Sequence, residues 1–353
     1  MTLYNFNILN FRKSSRKDAL NKEVLLKENK IIDQQDHRNI AKLIVDRNNP
    51  AESYYLLFGP QGVGKSMLIT LAKEAAEKEV FYIDGSDEFK LPRNLSREMK
   101  NYVSDTDYIN CDKVYQKFEK FAEKKKKKEN CTPLLIIDDV KVRGFSNYYN
   151  VIRKIQHDAR NAAENGNYNV MFVTNDQMTL QFFLDDPAES HMEILYLGDL
   201  NEDVALSYLL KHGIDRDTAR EIYKAFGGRI INLTHAINYF KRNNESKNFL
   251  NDYFDGKSIS IINRLDKCVN KKNRSKVFEF LYNHSEQPFS RSEFKIYKNM
   301  DHENDENDRI YSSLVENGIL TMAKNFKKVT FVSPFTRYVF KNLYEDEFTS
   351  IMN

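Results

Sequence analysis

No apolar run in the 353-residue chain approaches the ~20 residues of a membrane-spanning helix, so no span is expected. Cysteine is scarce. Cys111, Cys131 and Cys268 lie far apart without metal-ligand spacing, which argues against a disulfide framework and reads as reduced thiols in an intracellular protein. Twelve glycines and seven prolines are too few for a collagen, and no 20–50-residue repeat marks a solenoid or propeller. A strong charge of either sign is also missing. Lys and Arg number 54 against 51 Asp and Glu, a net +3, so no global bias points to nucleic acid or lipid. The first 17 residues carry Arg12, Lys13, Arg16 and Lys17 and no acid. Mitochondrial presequences share that bias, but this segment is short and rich in Asn and aromatics. The expected location is intracellular, cytoplasmic by default, with mitochondrial and nuclear placements left open.

What is present suffices for real cores: 41% hydrophobic and 12% aromatic residues in a chain long enough for two or three modules. Residues 1–47 are polar and helical in pattern, ending in an apolar cluster of Ile40, Leu43, Ile44 and Val45 before Asn48-Asn49-Pro50. Short apolar strands then alternate with helices. Strands are expected at Tyr54–Phe58, Val80–Ile83, Leu134–Ile137, Val170–Val173 and Ile194–Leu197, and helices over 65–78, 109–129 and 148–163. That alternation predicts an α/β domain with a parallel sheet over residues 48–200. Helices alone follow over 201–245, closed in part by Gly227-Gly228. Residues 246–353 read as a polar linker, three helices and a hairpin, Ile319–Met322 with Val329–Val332, in the order of a winged helix. Ser290-Arg291-Ser292-Glu293 is a capping box expected to open the second of these helices.

The sharpest motif is Gly59-Pro60-Gln61-Gly62-Val63-Gly64-Lys65-Ser66, which fits G-x-x-x-x-G-K-[ST] between an expected strand and an expected helix. Glycines let backbone N–H groups curl around phosphate oxygens, and the following helix adds the positive end of its dipole. Lys65 is expected on the β- and γ-phosphates and Ser66 on Mg²⁺. Gly59, Pro60, Gln61, Gly62, Val63, Gly64, Lys65, Ser66 and Met67 form the expected nucleotide-binding set, with ATP or ADP and Mg²⁺ as cofactors. Leu134-Leu135-Ile136-Ile137-Asp138-Asp139 is a dry strand ending in two carboxylates ~70 residues later. Asp138 is expected on Mg²⁺, and Asp139 to orient or deprotonate the attacking water. Two weaker signals have equal alternatives. Asn175, in Val173-Thr174-Asn175-Asp176, faces either the γ-phosphate or an ordinary turn. Arg229, after Gly227-Gly228, is either a γ-phosphate sensor or a surface residue after a helix cap.

The order of these motifs resembles the AAA+ and STAND branch of P-loop proteins. Asn169–Asp176, Leu197–Ala205 and Gly227–Arg229 are also similar to the ATPase module of the mitochondrial escape protein family. The resemblance covers roughly residues 30–245. It implies a parallel-sheet P-loop core with strand order 5-1-4-3-2, a small helical lid and a C-terminal winged helix, with Mg·ATP between core and lid. Asp139 stands where AAA+ proteins usually carry Glu, and the proline of the STAND lid motif is missing. No arginine finger can be placed. Arg153 and Arg160 are candidates, with solvated helix charges the simpler reading.

A winged helix can read DNA with its third helix and wing. Residues 271–353 carry a net charge of only +1, and Asp301, Glu303, Asp305, Glu306 and Asp308 are expected immediately before the third helix. Such acids repel phosphates, so a protein-contacting or autoinhibitory module is favoured over a DNA reader. Lys124–Lys128 reads as a solvated face. The expected function is an ATPase or nucleotide switch with a protein partner at its C-terminal unit and a homo-oligomer left open. A nucleotide-binding interaction protein with negligible hydrolysis and an origin-recognition-like DNA-binding ATPase are the alternatives.

Overall fold

Apolar runs and glycine turns become a layered α/β core in the computed structural model. It describes residues 34–46, 53–76, 79–86, 90–99, 111–142, 147–185, 191–242, 249–270, 273–296, 301–323 and 328–352. The expected N-terminal helical stretch before residue 34, Asn48-Asn49-Pro50 and the tip of the C-terminal hairpin lie outside these residues.

Five parallel strands, β1 (Tyr54–Phe58), β2 (Val80–Asp84), β3 (Leu134–Asp138), β4 (Asn169–Thr174) and β5 (Met192–Tyr196), lie in the order β2-β3-β4-β1-β5. This is the implied order, with β4 between the phosphate-loop strand and the Asp-Asp strand. β1, β3 and β4 are buried along their whole length because both sheet faces are covered, which is why they read as continuous apolar runs. One face carries α1 (Gln35–Val45) and α2 (Lys65–Glu74), whose Ile40, Ile44, Leu68 and Ile69 pack on Leu57, Ile136 and Val173. The other carries α3 (Lys90–Met99), α4 (Cys111–Glu129), α5 (Asn147–Glu164) and α6 (Gln177–Leu184), with Phe118, Ile152 and Phe183 against Leu56, Leu135 and Phe172.

α7 (Glu202–Lys211), α8 (Arg216–Phe226) and α9 (Ile230–Arg242) form the small helical unit. Beyond it stand α10 (Phe249–Cys268), α11 (Arg274–Asn283), α12 (Asp301–Glu316), a hairpin of β6 (Leu320–Met322) and β7 (Val329–Phe331), and α13 (Pro334–Met352). This is the winged-helix order. Three expectations change. The capping box at Ser290–Glu293 is formed, but it opens only a three-residue 3-10 turn, Arg291–Glu293, instead of a helix. The stretch taken for a linker opens a 20-residue helix, α10, anchored by buried Ile261 and Leu265. The acid run does not precede the third helix but lies inside its first half.

One apolar core runs without a break from the lid into the winged helix, joining Leu209, Phe226 and Leu233 to Phe278, Leu314 and Phe340. The ring of Phe226 lies 4.9 Å from that of Phe335. The two modules are therefore one packed body. Among the described residues no helix is long and apolar enough to cross a membrane, and Cys131 and Cys268 are buried free thiols.

Candidate functional site

The loop between β1 and α2 reverses direction at Gly62 (φ 83°) and Gly64 (φ 97°), a left-handed conformation that favours glycine. Gly64 is the N-cap of α2. Among the described residues no side chain caps its first N–H groups, and no acid sits in the first turn. That is a ready anion site.

Lys65 arches back over the loop, donating to the Gly59 carbonyl at 2.6 Å and the Pro60 carbonyl at 3.0 Å. Burial holds its ammonium down to about 8, reinforced by Arg229 and only partly opposed by Asp138 and Asp139. A buried cation held by carbonyls alone gains by meeting an anion.

Below the loop the Ser66 hydroxyl donates to Asp138 Oδ2 at 2.7 Å. Asp138 is buried at the tip of β3, and its Oδ1 accepts the Asp139 N–H at 2.8 Å. The Tyr82 hydroxyl of β2 donates to the same Oδ2. Burial, followed by this bond, pushes the Tyr82 phenol up, so it stays a donor at neutral pH. A hydroxyl and a carboxylate meeting beneath an uncapped helix N-terminus are hard oxygen donors of the kind Mg²⁺ takes together with phosphate oxygens. Ser66 and Asp138 fit that ion.

Asp139 breaks the strand with φ 58°, and the chain then crosses to β4, where the Val140 N–H donates to the Val173 carbonyl at 3.0 Å. Its carboxylate is half-exposed and held by Lys141 at 2.8 Å. At the end of β4, Thr174 donates to the Val140 carbonyl at 2.7 Å, and Asp176 caps α6 through Thr179. Asp176 is thus a helix N-cap rather than a turn residue. Asn175 is half-buried between them, and its side chain makes no hydrogen bond to the described residues.

Arg229 is not a surface residue: its side chain is 6% exposed. Its Nε and Nη2 grip Asp199, Nη1 donates to the Gln61 carbonyl at 2.9 Å, and Nη2 also donates to the Val332 carbonyl at 2.7 Å. One turn of the lid therefore meets the phosphate loop and the wing together. The Ile231 N–H adds a bond to the Gly62 carbonyl at 3.1 Å, and a Cβ on Gly62 would lie 2.5 Å from the Ile231 side chain. Gln34, ahead of α1, accepts the Asn201 N–H at 3.1 Å and ties the N-terminal helix to the same junction. Of the arginine-finger candidates, Arg153 stacks 4.0 Å from the Phe182 ring and Arg160 pairs with Glu164. Both serve their own surroundings.

The structure brings the loop, Asp138, Asp139 and Arg229 into one neighbourhood. Sequence reasoning missed Tyr82, Lys141 and Asp199. Only Asp199 had a signal, lying in the Leu197-Gly-Asp stretch that carried the resemblance without a role. Tyr82 reaches Asp138 only through strand pairing across a gap of 56 residues.

Fold and site together define a P-loop ATPase domain: a parallel sheet, a phosphate loop running into a helix, and a magnesium-type donor pair on neighbouring elements. Residues 55–181 match the profile of the ATPase family associated with various cellular activities (AAA). No curated protein matches the sequence. Among solved structures, the chain is similar to the Walker-type ATPase PABY2304 of Pyrococcus abyssi at 12% identity and a TM-score of 0.62. That alignment covers 94% of this chain and 99% of the other. It is also similar to the ORC2 protein of Aeropyrum pernix, solved as ADPNP–ADP complexes, at 11% identity, a TM-score of 0.51, and 91% and 97% coverage. At such identities the likeness shows a shared fold. The matches support the AAA part of the resemblance; none supports the STAND branch or the mitochondrial escape family.

Proposed function

We propose that the protein binds Mg·ATP and works as a slow ATPase or nucleotide switch that acts on a protein partner through its C-terminal unit. The observation that carries this reading is the Ser66–Asp138 pair beneath the uncapped N-terminus of α2, with Lys65 buried alongside and held only by backbone carbonyls. Gly59 to Met67 would hold the phosphates and Ser66 and Asp138 the ion. The ion, when bound, supplies charge neutralisation of the transferred phosphoryl group. Asp139 would orient or deprotonate water, with Asn175 beside it. Slow turnover is supported by the Lys141 ammonium on the Asp139 carboxylate and by Asp in place of the longer Glu. An origin-recognition-like DNA reader is favoured by the fold likeness to ORC2, but the acids within α12 oppose duplex phosphates.

Lys65→Ala should abolish Mg·ATP binding and leave the fold intact, since no other side-chain cation lies in the loop. Calorimetry with both proteins decides it, and equal affinities would sink the nucleotide reading.

A further inference from the structure

The phosphate loop is held from outside by the lid. A planar trans peptide points its C=O and the next N–H in opposite directions. Fixing the Gln61 carbonyl outward on Arg229 therefore aims the Gly62 N–H inward, and fixing the Gly62 carbonyl on the Ile231 N–H does the same for Val63. The orientation of one cradle donor, the Gly62 N–H, thus depends on where one guanidinium sits, and that of the Val63 N–H on the lid backbone at Ile231. That guanidinium is buried and flexible in principle, and a single carboxylate sets it. Asp199 takes Nε and Nη2 side-on, which leaves Nη1 facing Gln61 and the second Nη2 hydrogen facing Val332. Side-on pairing of this kind fixes the plane of an arginine.

We propose that Asp199 is a positioning residue for nucleotide binding. By gripping Arg229 it holds the Gln61 carbonyl outward, aims the Gly62 N–H at the phosphates, and makes the cradle answer to the docked wing through the Val332 bond. The inference rests on the nucleotide reading above and assigns Asp199 a role independent of any contact between Arg229 and a γ-phosphate.

ADP is the probe that separates the two, because it has no γ-phosphate. Asp199→Asn keeps the shape and removes the charge. It also leaves a buried guanidinium uncompensated, so a second variant is needed. Asp199→Leu with Arg229→Met replaces the pair by apolar groups, an exchange that buried ion pairs often tolerate, but it leaves nothing to hold the Gln61 carbonyl. Both variants should lose about tenfold or more in ADP affinity by calorimetry, the usual scale for removing an outer-shell support. With ADP bound, amide exchange at Gly62, Val332, Ser333, Phe335 and Thr336 should be faster than in the unaltered protein while β1, β3 and β4 keep their protection. Wild-type ADP affinity in the double variant would overturn the proposal. So would a loss confined to ATP with ADP spared, which would assign Arg229 to the γ-phosphate alone. Failure of the unaltered protein to bind ADP would overturn the nucleotide reading itself, and the proposal with it.

Discussion

Lys65 carries the first consequence at the scale of single residues. Its protonated form binds phosphate, and in the free protein burial lowers it to about 8. A bound polyphosphate raises it again, so between those two values binding takes up a proton. ATP affinity should be level through neutral pH and fall above pH 8 by up to about tenfold per unit. Calorimetry in buffers of different ionisation enthalpy reads the proton directly; a level affinity to pH 9.5 would remove Lys65 from the phosphate site. Asp139 carries the second. Asp139→Asn keeps the shape and removes the base, so turnover should drop by roughly 10²-fold with ATP binding retained. Unchanged phosphate release would leave the carboxylate only its contact with Lys141. The loop residues and Asp138 were legible because the motif ties chemistry to spacing. Arg229 was legible as a position but not as a junction. Its partners Asp199, Gln61 and Val332 lie 30, 168 and 103 residues away, and nothing local announces such pairings.

Elements were readable where burial is two-sided. β1, β3 and β4 announce themselves because no residue in them needs to face water. Two helices that escaped notice, α3 and α13, carry Pro92 and Pro334 in their first turns. A proline there reads as a breaker, yet the first turn has no N–H to lose. α6 hid behind Asn-Asp, where Asp176 is a cap rather than a turn residue. The connection between α8 and α9 gives a prediction on this scale. A Cβ on Gly228 would lie 1.9 Å from the Leu200 carbonyl oxygen, and the Gly228 carbonyl itself accepts the Leu200 N–H at 3.0 Å. Backbone cannot yield as a side-chain tip can. Gly228→Ala should cost about 3 kcal/mol or more and lift the lid off its seat beside β5. Thermal unfolding checks the first effect and amide exchange at Leu200 the second.

At the scale of the whole molecule, the described residues form two cores: the sandwich of helices about the sheet, and the joint core of lid and winged helix. Sequence reading placed the boundary between lid and winged helix near residue 245, since a polar stretch separates them. Apolar residues on either side of that stretch nonetheless pack together, and a one-dimensional pattern does not show it. Lid and winged helix should unfold as one cooperative unit. Phe335→Ala, which removes the ring packed at a tilt against Phe226, should cost about 3–5 kcal/mol and lower amide protection in α8, α9 and α11 together while α5 and β4 hold. Loss of protection confined to the winged helix would divide that core in two. For the same reason, cutting the chain at residue 260 would bare Phe226, Leu233 and Ile237 rather than leave a clean core-and-lid fragment.

α13 begins where this joint body touches the nucleotide side. Pro334 would meet a Cβ on Gly227 at 2.3 Å, and Val332, two residues earlier, is bonded to Arg229. The helix then runs 19 residues away from that point. At 1.5 Å per residue it is an arm of about 28 Å, so a turn of about 10° at the Arg229 junction swings its far end by roughly 5 Å. Geometrically, any small rotation at the phosphate loop is amplified several-fold at the far end of α13.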